Sequence, residues 1–256
     1  MPRKPREKSP MGIYHVIMRG VNRQIIFKDK EDRTIFLDKM FRFGEKGEYK
    51  IFAYCLMDNH IHLLLQEQEE SLSTSIKRIC SSYVRWYNKK YERIGHLFQE
   101  RFRSEVVDNE RYFLTVLRYI HQNPIKAQII TNIDEYPWSS YHQYLKDSLH
   151  IDSHNIDKKF VLTLFSSERK NALKSFREFH QEINDDNCLE IEEPQKSDET
   201  VKEIIKARFG IEPSSVKEEE KSQQIAIVSE LKTIGGVSKR QISRVTGLSR
   251  RIVDRV

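Results

Sequence analysis

The order of apolar and polar positions over the first half of the chain predicts alternating strands and helices. Runs rich in β-branched and aromatic residues predict four strands, residues 14–19, 49–57, 60–65 and 104–107. Apolar residues at helical spacing predict helices over residues 30–43, over 71–91 and from 109 to a limit at Pro124. This order favours an α+β fold of the ferredoxin-like kind, an antiparallel sheet with helices on one face.

The pattern changes after residue 150. Residues 151–181 predict a helical extension of the main domain, which we place at 11–150 behind a disordered basic arm at 1–10. Residues 182–220 hold 5 Lys and Arg against 13 Asp and Glu, which predicts an acidic linker or connector. Residues 221–256 predict short helices separated by glycines, a pattern typical of a helix-turn-helix module.

Composition narrows the class of protein. The chain has 256 residues, and 32% of them are charged. No apolar run approaches the length of a membrane span, and no apolar segment follows the basic N-terminus, so we expect neither a membrane protein nor a secreted one. Its three cysteines lie far apart without a CxxC pair, which argues against a disulfide framework and a zinc knuckle. These features predict a cytoplasmic protein.

The net charge of +6 is unevenly distributed. Residues 221–256 hold 8 Lys and Arg against 2 Asp and Glu, and residues 1–150 hold 25 against 19. Two basic regions beside an acidic one fit either ordinary solubility charge or two modules that face nucleic acid. In the C-terminal module the candidate DNA contacts are Arg240, Arg244, Arg250 and Arg251, and the alternative is a helical bundle with a solvated arginine face.

Two histidines two residues apart are the first candidate for chemistry. His60 and His62 fall in a predicted strand, where alternate side chains point to the same face. Two neighbouring imidazoles can chelate a divalent metal ion. The same pair also fits two ordinary histidines on a polar face.

The segment RYIHQNP supplies the second candidate. Tyr119 and Asn123 are four residues apart on a predicted helix and therefore share a face. A tyrosine hydroxyl and an amide oxygen so placed could act as nucleophile and metal ligand. They could equally be a core tyrosine and an Asn-Pro helix stop. His121 is an alternative ligand, although its position on the helix directs it away from Tyr119.

Three motifs together resemble one family. MDNHIHLLL, GHLFQERFRSEVV and YIHQNPIKA occur in this order, and the chain over about residues 11–145 resembles the single-tyrosine HUH transposases, closest to the REP-associated tyrosine transposases. The resemblance implies a catalytic domain in which Tyr119 is the nucleophile. It also implies that His60, His62 and Asn123 bind a divalent metal, Mg²⁺ or Mn²⁺.

The resemblance also implies a substrate. Members of this family act on single-stranded DNA next to imperfect hairpins such as repetitive extragenic palindromes, through a 5′-phosphotyrosine. Candidate phosphate contacts in this chain are Arg19, Arg23, Arg101 and Arg103. We expect a bacterial, nucleoid-associated protein, a monomer or a homodimer, that binds hairpins and in addition duplex DNA through its C-terminal module.

Three functions remain open at this point. The first is an active single-strand endonuclease and strand transferase. The second is a non-catalytic regulator that binds hairpin and duplex DNA, and the third is a replication-initiator or relaxase nickase. The complete set of His60, His62, Tyr119 and Asn123 favours the first, because a regulator would not need all four.

Overall fold

The protein is described by a computed structural model that covers residues 6–44, 47–99, 101–145, 156–182, 184, 186, 188–189, 196–234 and 236–256. The chain forms two compact units, residues 1–190 and 191–256. The first unit holds the predicted α+β domain together with the helical extension. Each unit has its own hydrophobic core.

A four-stranded antiparallel sheet organises the first unit. Its strands are β1 (Ile13–Arg19), β2 (Tyr49–Leu56), β3 (His60–Glu67) and β4 (Arg103–Val107). The spatial order is β2-β3-β1-β4, so β1 and β3 lie in the centre. This order confirms the predicted ferredoxin-like fold, and the four strands lie within two residues of their predicted bounds.

Two helices cover one face of the sheet, as predicted. They are α1 (Lys30–Gly44) and α2 (Leu72–Lys90). The Sγ atom of Cys80 on α2 lies 3.3 Å from the Sδ atom of Met18 on β1, which places α2 on the Met18 face. The Ser71 hydroxyl accepts a hydrogen bond from the Thr74 amide and begins α2, as an N-cap serine does.

Helix α3 (Glu110–Lys126) covers the opposite face. Asn109 begins it, since its side chain accepts a hydrogen bond from the Tyr112 amide. The prediction that Pro124 ends this helix is wrong by two residues. A proline lacks the N–H that the helix would use and crowds the preceding turn. Because Pro124 lies close to the C-terminal end of α3, its missing N–H removes one backbone hydrogen bond. The Ala127 amide still donates to the Asn123 carbonyl at 2.9 Å.

Short helices extend the first unit. They are α4 (Tyr141–Leu145), α5 (Lys158–Thr163) and α6 (Arg169–Gln181). Val161 and Phe176 are buried in the same core as the sheet. The predicted helical extension therefore completes the core of the first unit, and its part before residue 156 lies outside the described residues.

The N-terminal arm is partly ordered, contrary to the prediction. The Arg6 guanidinium lies 3.6 Å from the centroid of the Phe102 ring and donates to the Phe102 carbonyl at 2.8 Å. The Ser9 hydroxyl donates to the Val107 carbonyl at 3.1 Å. Residues 6–10 are thus fixed against β4 because their polar groups find partners there, and residues 1–5 lie outside the described residues.

The second unit is helical. Its helices are α7 (Asp198–Phe209), α8 (Lys221–Thr233), α9 (Lys239–Thr246) and α10 (Arg250–Arg255), with a 3-10 helix at Pro213–Glu218. Val201, Ile205 and Val216 are buried in its core, so the predicted acidic connector does not extend to residue 220. The prediction from acidic composition failed because the charged residues of α7 lie on its exposed side, whereas its few apolar residues are buried.

The turn between α9 and α10 has the predicted form. Gly247 adopts a left-handed conformation with φ of 71°, which ends α9, and Ser249 precedes α10. The Ser238 hydroxyl accepts from the Gln241 amide and begins α9. Within the described ranges, no helix of either unit is long and apolar enough to cross a membrane.

Gly20 provides a test of the fold near β1. A Cβ atom at this position would lie inside contact distance of the Gln24 carbonyl oxygen and 2.9 Å from Cγ2 of Ile26. We expect Gly20→Ala to lower the free energy of unfolding by about 1–3 kcal/mol, since the backbone must shift to make room. Gly44→Ala is the matched control, because its nearest neighbour would lie 3.4 Å away. Equal urea midpoints for the two variants would contradict this account of the turn.

Candidate active site

The two histidines of the HxH motif lie on β3, a central strand. His60 and His62 project to the face covered by α3, while Ile61 between them is buried on the other face. Cross-strand partners share a face, and His60 is opposite Arg19 while His62 is opposite Ile17. The sheet therefore brings both imidazoles together, as the strand periodicity predicts.

Asn123 joins these histidines from α3. Its Oδ1 atom lies 3.4 Å from Nε2 of His60, and its Nδ2 atom lies 3.2 Å from Nε2 of His62. Asn123 stays within the helix despite Pro124, so its side chain remains on the face that points at the sheet. One amide and two imidazoles thus converge on a single position.

The other nitrogen of each imidazole is also engaged. Nδ1 of His60 lies 2.7 Å from Oδ1 of Asn59, and Nδ1 of His62 lies 3.0 Å from Nε2 of His15. An amide oxygen can only accept a hydrogen bond, so Nδ1 of His60 carries the proton and its Nε2 keeps a lone pair. That lone pair faces the Oδ1 oxygen of Asn123, and two facing acceptors are the surroundings that a cation requires.

Burial keeps both imidazoles neutral. Desolvation lowers the pKa of His60 to about 4, with the nearby Arg19 charge acting in the same direction, and a hydrogen bond from the protonated ring to the Asn123 oxygen acts against them. Desolvation, together with the neighbouring His60 and His15, lowers the pKa of His62 well below its ordinary value. A neutral imidazole is the form that binds a metal ion.

Tyr119 lies beside the histidines, one helical turn before Asn123. Its ring centroid is 5.7 Å from that of His62 and 5.8 Å from that of His15, and the residue is 3% exposed. The Lys126 ammonium lies 4.6 Å from the centroid of the Tyr119 ring. A cation at this distance interacts favourably with the face of the aromatic ring. Neither Lys126 nor His15 was predicted as part of the site.

His121, the alternative ligand, points away from this position. Its Nδ1 atom lies 2.9 Å from Nε2 of His180, and its Nε2 atom lies 2.7 Å from the Ser140 hydroxyl oxygen. Both ring nitrogens are therefore used in a separate buried network. The structure places Asn123, and not His121, at the two histidines of the HxH motif.

The extension after residue 156 holds the helix that carries Tyr119. Arg118 donates two hydrogen bonds to the Asp186 carboxylate, at 2.7 and 3.0 Å, and one to Glu182 at 2.8 Å. Gln122 donates to the His180 carbonyl at 2.8 Å. These contacts fix Arg118 and Gln122, the residues that immediately precede Tyr119 and Asn123. Sequence patterns could not reveal them, because the partners are about 60 positions apart.

A metal ion bound here would need the amide as its third ligand. Among the residues whose positions the structure gives, no three His, Cys, Asp or Glu side chains are arranged to hold a metal ion. The donors that converge are Nε2 of His60, Nε2 of His62 and the Asn123 side chain. Imidazole and amide donors fit Mn²⁺ or Mg²⁺, with the imidazoles favouring Mn²⁺.

The four predicted arginines of the first unit lie at different positions relative to the site. Arg19 is opposite His60 in the sheet, and Arg103 is opposite Ile17, so both belong to the His62 face. Arg23 lies in the turn after β1, with φ of 61°. Arg101 is exposed next to β4, where its charge acts on Arg6. Arg19 is the one that acts electrostatically on a histidine of the motif.

The predicted arginines of the second unit differ in their contacts. Arg244 forms a two-point ion pair with Asp198 of α7, at 2.7 and 2.6 Å, which holds α9 to α7. Arg240, Arg250 and Arg251 are exposed. Arg250 and Arg251 begin α10, the helix after the Gly247 turn.

Fold and side chains together agree with the class that the sequence resemblance predicts. A ferredoxin-like sheet with two histidines, an amide and a tyrosine on one face is the arrangement that the resemblance to tyrosine transposases implies. Comparison with known families agrees, since residues 9–123 match the family described as "Transposase IS200 like" (Y1_Tnp). The matched range is less than half of the chain, and it includes all four side chains.

Two individual proteins are similar to the chain. A "Putative REP-associated tyrosine transposase" from Haemophilus influenzae Rd is 28% identical over an alignment of 118 residues that covers 41% of this chain. The match spans 66% of that relative's own length, just under two thirds. The solved structure of a REP-associated tyrosine transposase bound to a REP hairpin matches with a TM-score of 0.51 and 15% identity. It covers 62% of this chain and 96% of that one, and at this identity the likeness concerns the fold.

The histidines predict how stability depends on pH. Burial lowers the pKa of five histidines of the first unit, which are His15, His60, His62, His121 and His180. The unfolded chain takes up these protons near pH 6.5, whereas His60 in the folded protein does so near pH 4. Acidification from pH 6.5 to 5 therefore favours unfolding, by about 1.5 kcal/mol for His60 and in the same direction for the other four.

Urea unfolding at several pH values checks this expectation. Both tryptophans, Trp86 and Trp138, lie in the first unit, so their fluorescence reports its unfolding. The midpoint should fall between pH 7 and pH 5 and change little between pH 8 and pH 7. Equal midpoints at pH 7 and pH 5 would show that these imidazoles are not buried as described.

Proposed function

We propose that the protein is a metal-dependent single-stranded DNA endonuclease and strand transferase that cuts next to DNA hairpins. The observation that carries this proposal is the convergence of four side chains on one face of the sheet. Asn123 reaches both histidines of the HxH motif, and the Tyr119 ring lies against His62. A domain used only to bind DNA would not need a nucleophile beside a metal-ligand set.

Tyr119 performs the covalent step. Its phenol oxygen attacks the phosphorus of the scissile phosphate while the bond from phosphorus to the departing 3′ oxygen breaks. The phenol loses its proton and the 3′ oxygen gains one, so the 5′ side of the strand stays on the tyrosine. Attack by another 3′ hydroxyl reverses the step and joins two strands, which makes ATP unnecessary.

The side chains around Tyr119 prepare this step. His60, His62 and Asn123 would hold the metal ion, which supplies Lewis-acid polarisation of the phosphate when bound. The Lys126 ammonium lies 4.6 Å from the centroid of the Tyr119 ring and adds positive charge beside the proposed nucleophile. The ion pairs of Arg118 keep the helix fixed, so that the phenol oxygen is positioned in advance.

The substrate is single-stranded DNA with a hairpin of the REP kind. The similar solved structure holds such a hairpin, and Arg19 and Arg103 add positive charge on the face of the candidate site. Arg23 and Arg101 lie in loops near the ends of the same two strands. A predicted location at the bacterial nucleoid is consistent with this substrate.

The test is formation of a covalent adduct. Protein incubated with Mn²⁺ and a labelled single strand carrying a hairpin should give a slowly migrating band on a denaturing gel. Tyr119→Phe should abolish the band, because the attacking oxygen is gone, while hairpin affinity stays within about threefold. Tyr141→Phe is the matched control, since it removes the hydroxyl of another buried tyrosine of the same unit.

His60→Ala separates the metal from the nucleophile. This variant should lose both Mn²⁺ binding and the adduct, whereas Tyr119→Phe should lose the adduct alone. An adduct that survives in Tyr119→Phe would assign the nucleophile to another residue. Tight hairpin binding without an adduct in the unaltered protein would favour the non-catalytic regulator instead.

The second unit adds contacts to duplex DNA in this proposal. Arg250 and Arg251 are exposed at the start of α10, the position from which a helix-turn-helix contacts DNA. Arg244 is held by Asp198 and serves the packing of the unit. Arg240, on α9, is exposed and remains a candidate contact.

A pair of double variants tests this role. Arg250→Ala with Arg251→Ala should weaken duplex binding and reduce its salt slope by about 2, because each phosphate contact contributes roughly 0.9. Lys206→Ala with Arg208→Ala removes the same charge from α7, where both residues pair with glutamates. This control should change the slope little. Equal effects of the two double variants would show that only the total charge of the unit matters.

A further inference from the structure

Behind His62, on the side away from Asn123, lie two residues that the proposed mechanism does not use. His15 is fully buried, and its Nε2 atom is 3.0 Å from Nδ1 of His62. Its Nδ1 atom lies 3.7 Å from Oε2 of Glu105. The sheet sets this order, since His15 is opposite Glu105 in the pairing of β1 with β4.

With the Asn123 amide placed as in the structure, the polar contacts favour one arrangement of protons. The Asn123 amide donates through Nδ2 to Nε2 of His62, so this nitrogen carries a lone pair. The proton of the neutral His62 ring is then on Nδ1, which donates to Nε2 of His15. His15 in turn carries its proton on Nδ1, the nitrogen that faces the Glu105 carboxylate.

Glu105 is held in place as an anion. Its Oε2 atom accepts a hydrogen bond from the Leu189 amide at 3.0 Å, which ties it to the end of the first unit. Although burial acts to raise the pKa of Glu105, the neighbouring His15 ring and hydrogen bonds from Tyr112 and Leu189 keep it below its ordinary value. At 3.7 Å the carboxylate orients the Nδ1 proton of His15 by charge and not by a short hydrogen bond.

We propose that His15 and Glu105 are positioning residues that fix the His62 ring with its proton on Nδ1 and its Nε2 lone pair directed at the metal position. A buried imidazole without such a partner would be free to carry its proton on Nε2, where it blocks the metal ion. Metal-binding histidines are commonly oriented by an acceptor at their second nitrogen. The inference rests on the proposed metal site at His60, His62 and Asn123.

The first experiment reads the proton directly in metal-free protein. The ¹⁵N chemical shifts of the His62 ring distinguish a protonated nitrogen from an unprotonated one. In the full chain at pH 7 we expect the proton on Nδ1, and in His15→Phe we expect a mixture of the two tautomers. A proton on Nε2 of His62 in the unaltered protein would overturn the proposal, whatever the enzyme does with DNA.

The second experiment measures Mn²⁺ affinity by calorimetry. His15→Phe, which removes the acceptor but fills the space, should weaken binding about 10- to 100-fold. His15→Gln should stay within about threefold, because its side-chain oxygen can replace Nε2 as acceptor. A merely structural role for His15 would not distinguish Gln from Phe in this way.

His180→Phe is the matched control. His180 is buried, and its Nε2 atom contacts Nδ1 of His121 at 2.9 Å, the same chemistry at a pair that does not reach the metal position. Its Mn²⁺ affinity should be near that of the unaltered protein, and the melting temperature of each metal-free variant controls for folding. Equal Mn²⁺ affinity in His15→Phe and the unaltered protein would overturn the positioning role of His15 and Glu105, but it would leave the proposed metal site intact. Failure of the unaltered protein to bind Mn²⁺ would overturn both.

Discussion

The pairing of β1 with β3 is the constraint on which the site depends. It sets Ile17 opposite His62 and Arg19 opposite His60, and it leaves His15 diagonal to His62. Side chains alternate between the faces of a sheet, so a slip of one residue would send the β1 side chains to the wrong face. Buried apolar residues on the other face, such as Met18 and Ile61, fix the register and with it the polar face.

The polar side chains of the site form a connected network of hydrogen bonds. His60 and His62 each have a partner at the second ring nitrogen, the Asn59 amide for His60 and the His15 imidazole for His62. Such partners offset the cost of burying polar groups and leave the rings neutral, which suits metal binding. The same burial makes the first unit sensitive to acid, so the chemistry of the site and the stability of the fold are linked.

The helix that carries Tyr119 is held from two sides. Toward the sheet, Asn123 contacts the histidines, and away from it, Arg118 and Gln122 bind the segment after α6. The match to the IS200-like family covers residues 9–123, whereas this segment follows that range in the chain. The extension therefore fixes the orientation of the helix that carries Tyr119 and Asn123.

Local patterns were enough to predict the strands, the histidine pair and the Tyr119–Asn123 turn, because alternation and helical spacing are properties of neighbouring residues. Local patterns failed where contacts between residues far apart in the sequence determine the structure. Composition predicted a connector through residue 220, yet Val201 and Ile205 lie in the core of the second unit. His15, Glu105 and Lys126 gave no pattern, since their roles come from contacts across strands and around a helix. The sequence by itself determined the fold class and the candidate side chains, and the tertiary structure decided how those side chains contact one another, because hydrogen bonds between distant residues form only when the sheet and α3 have packed.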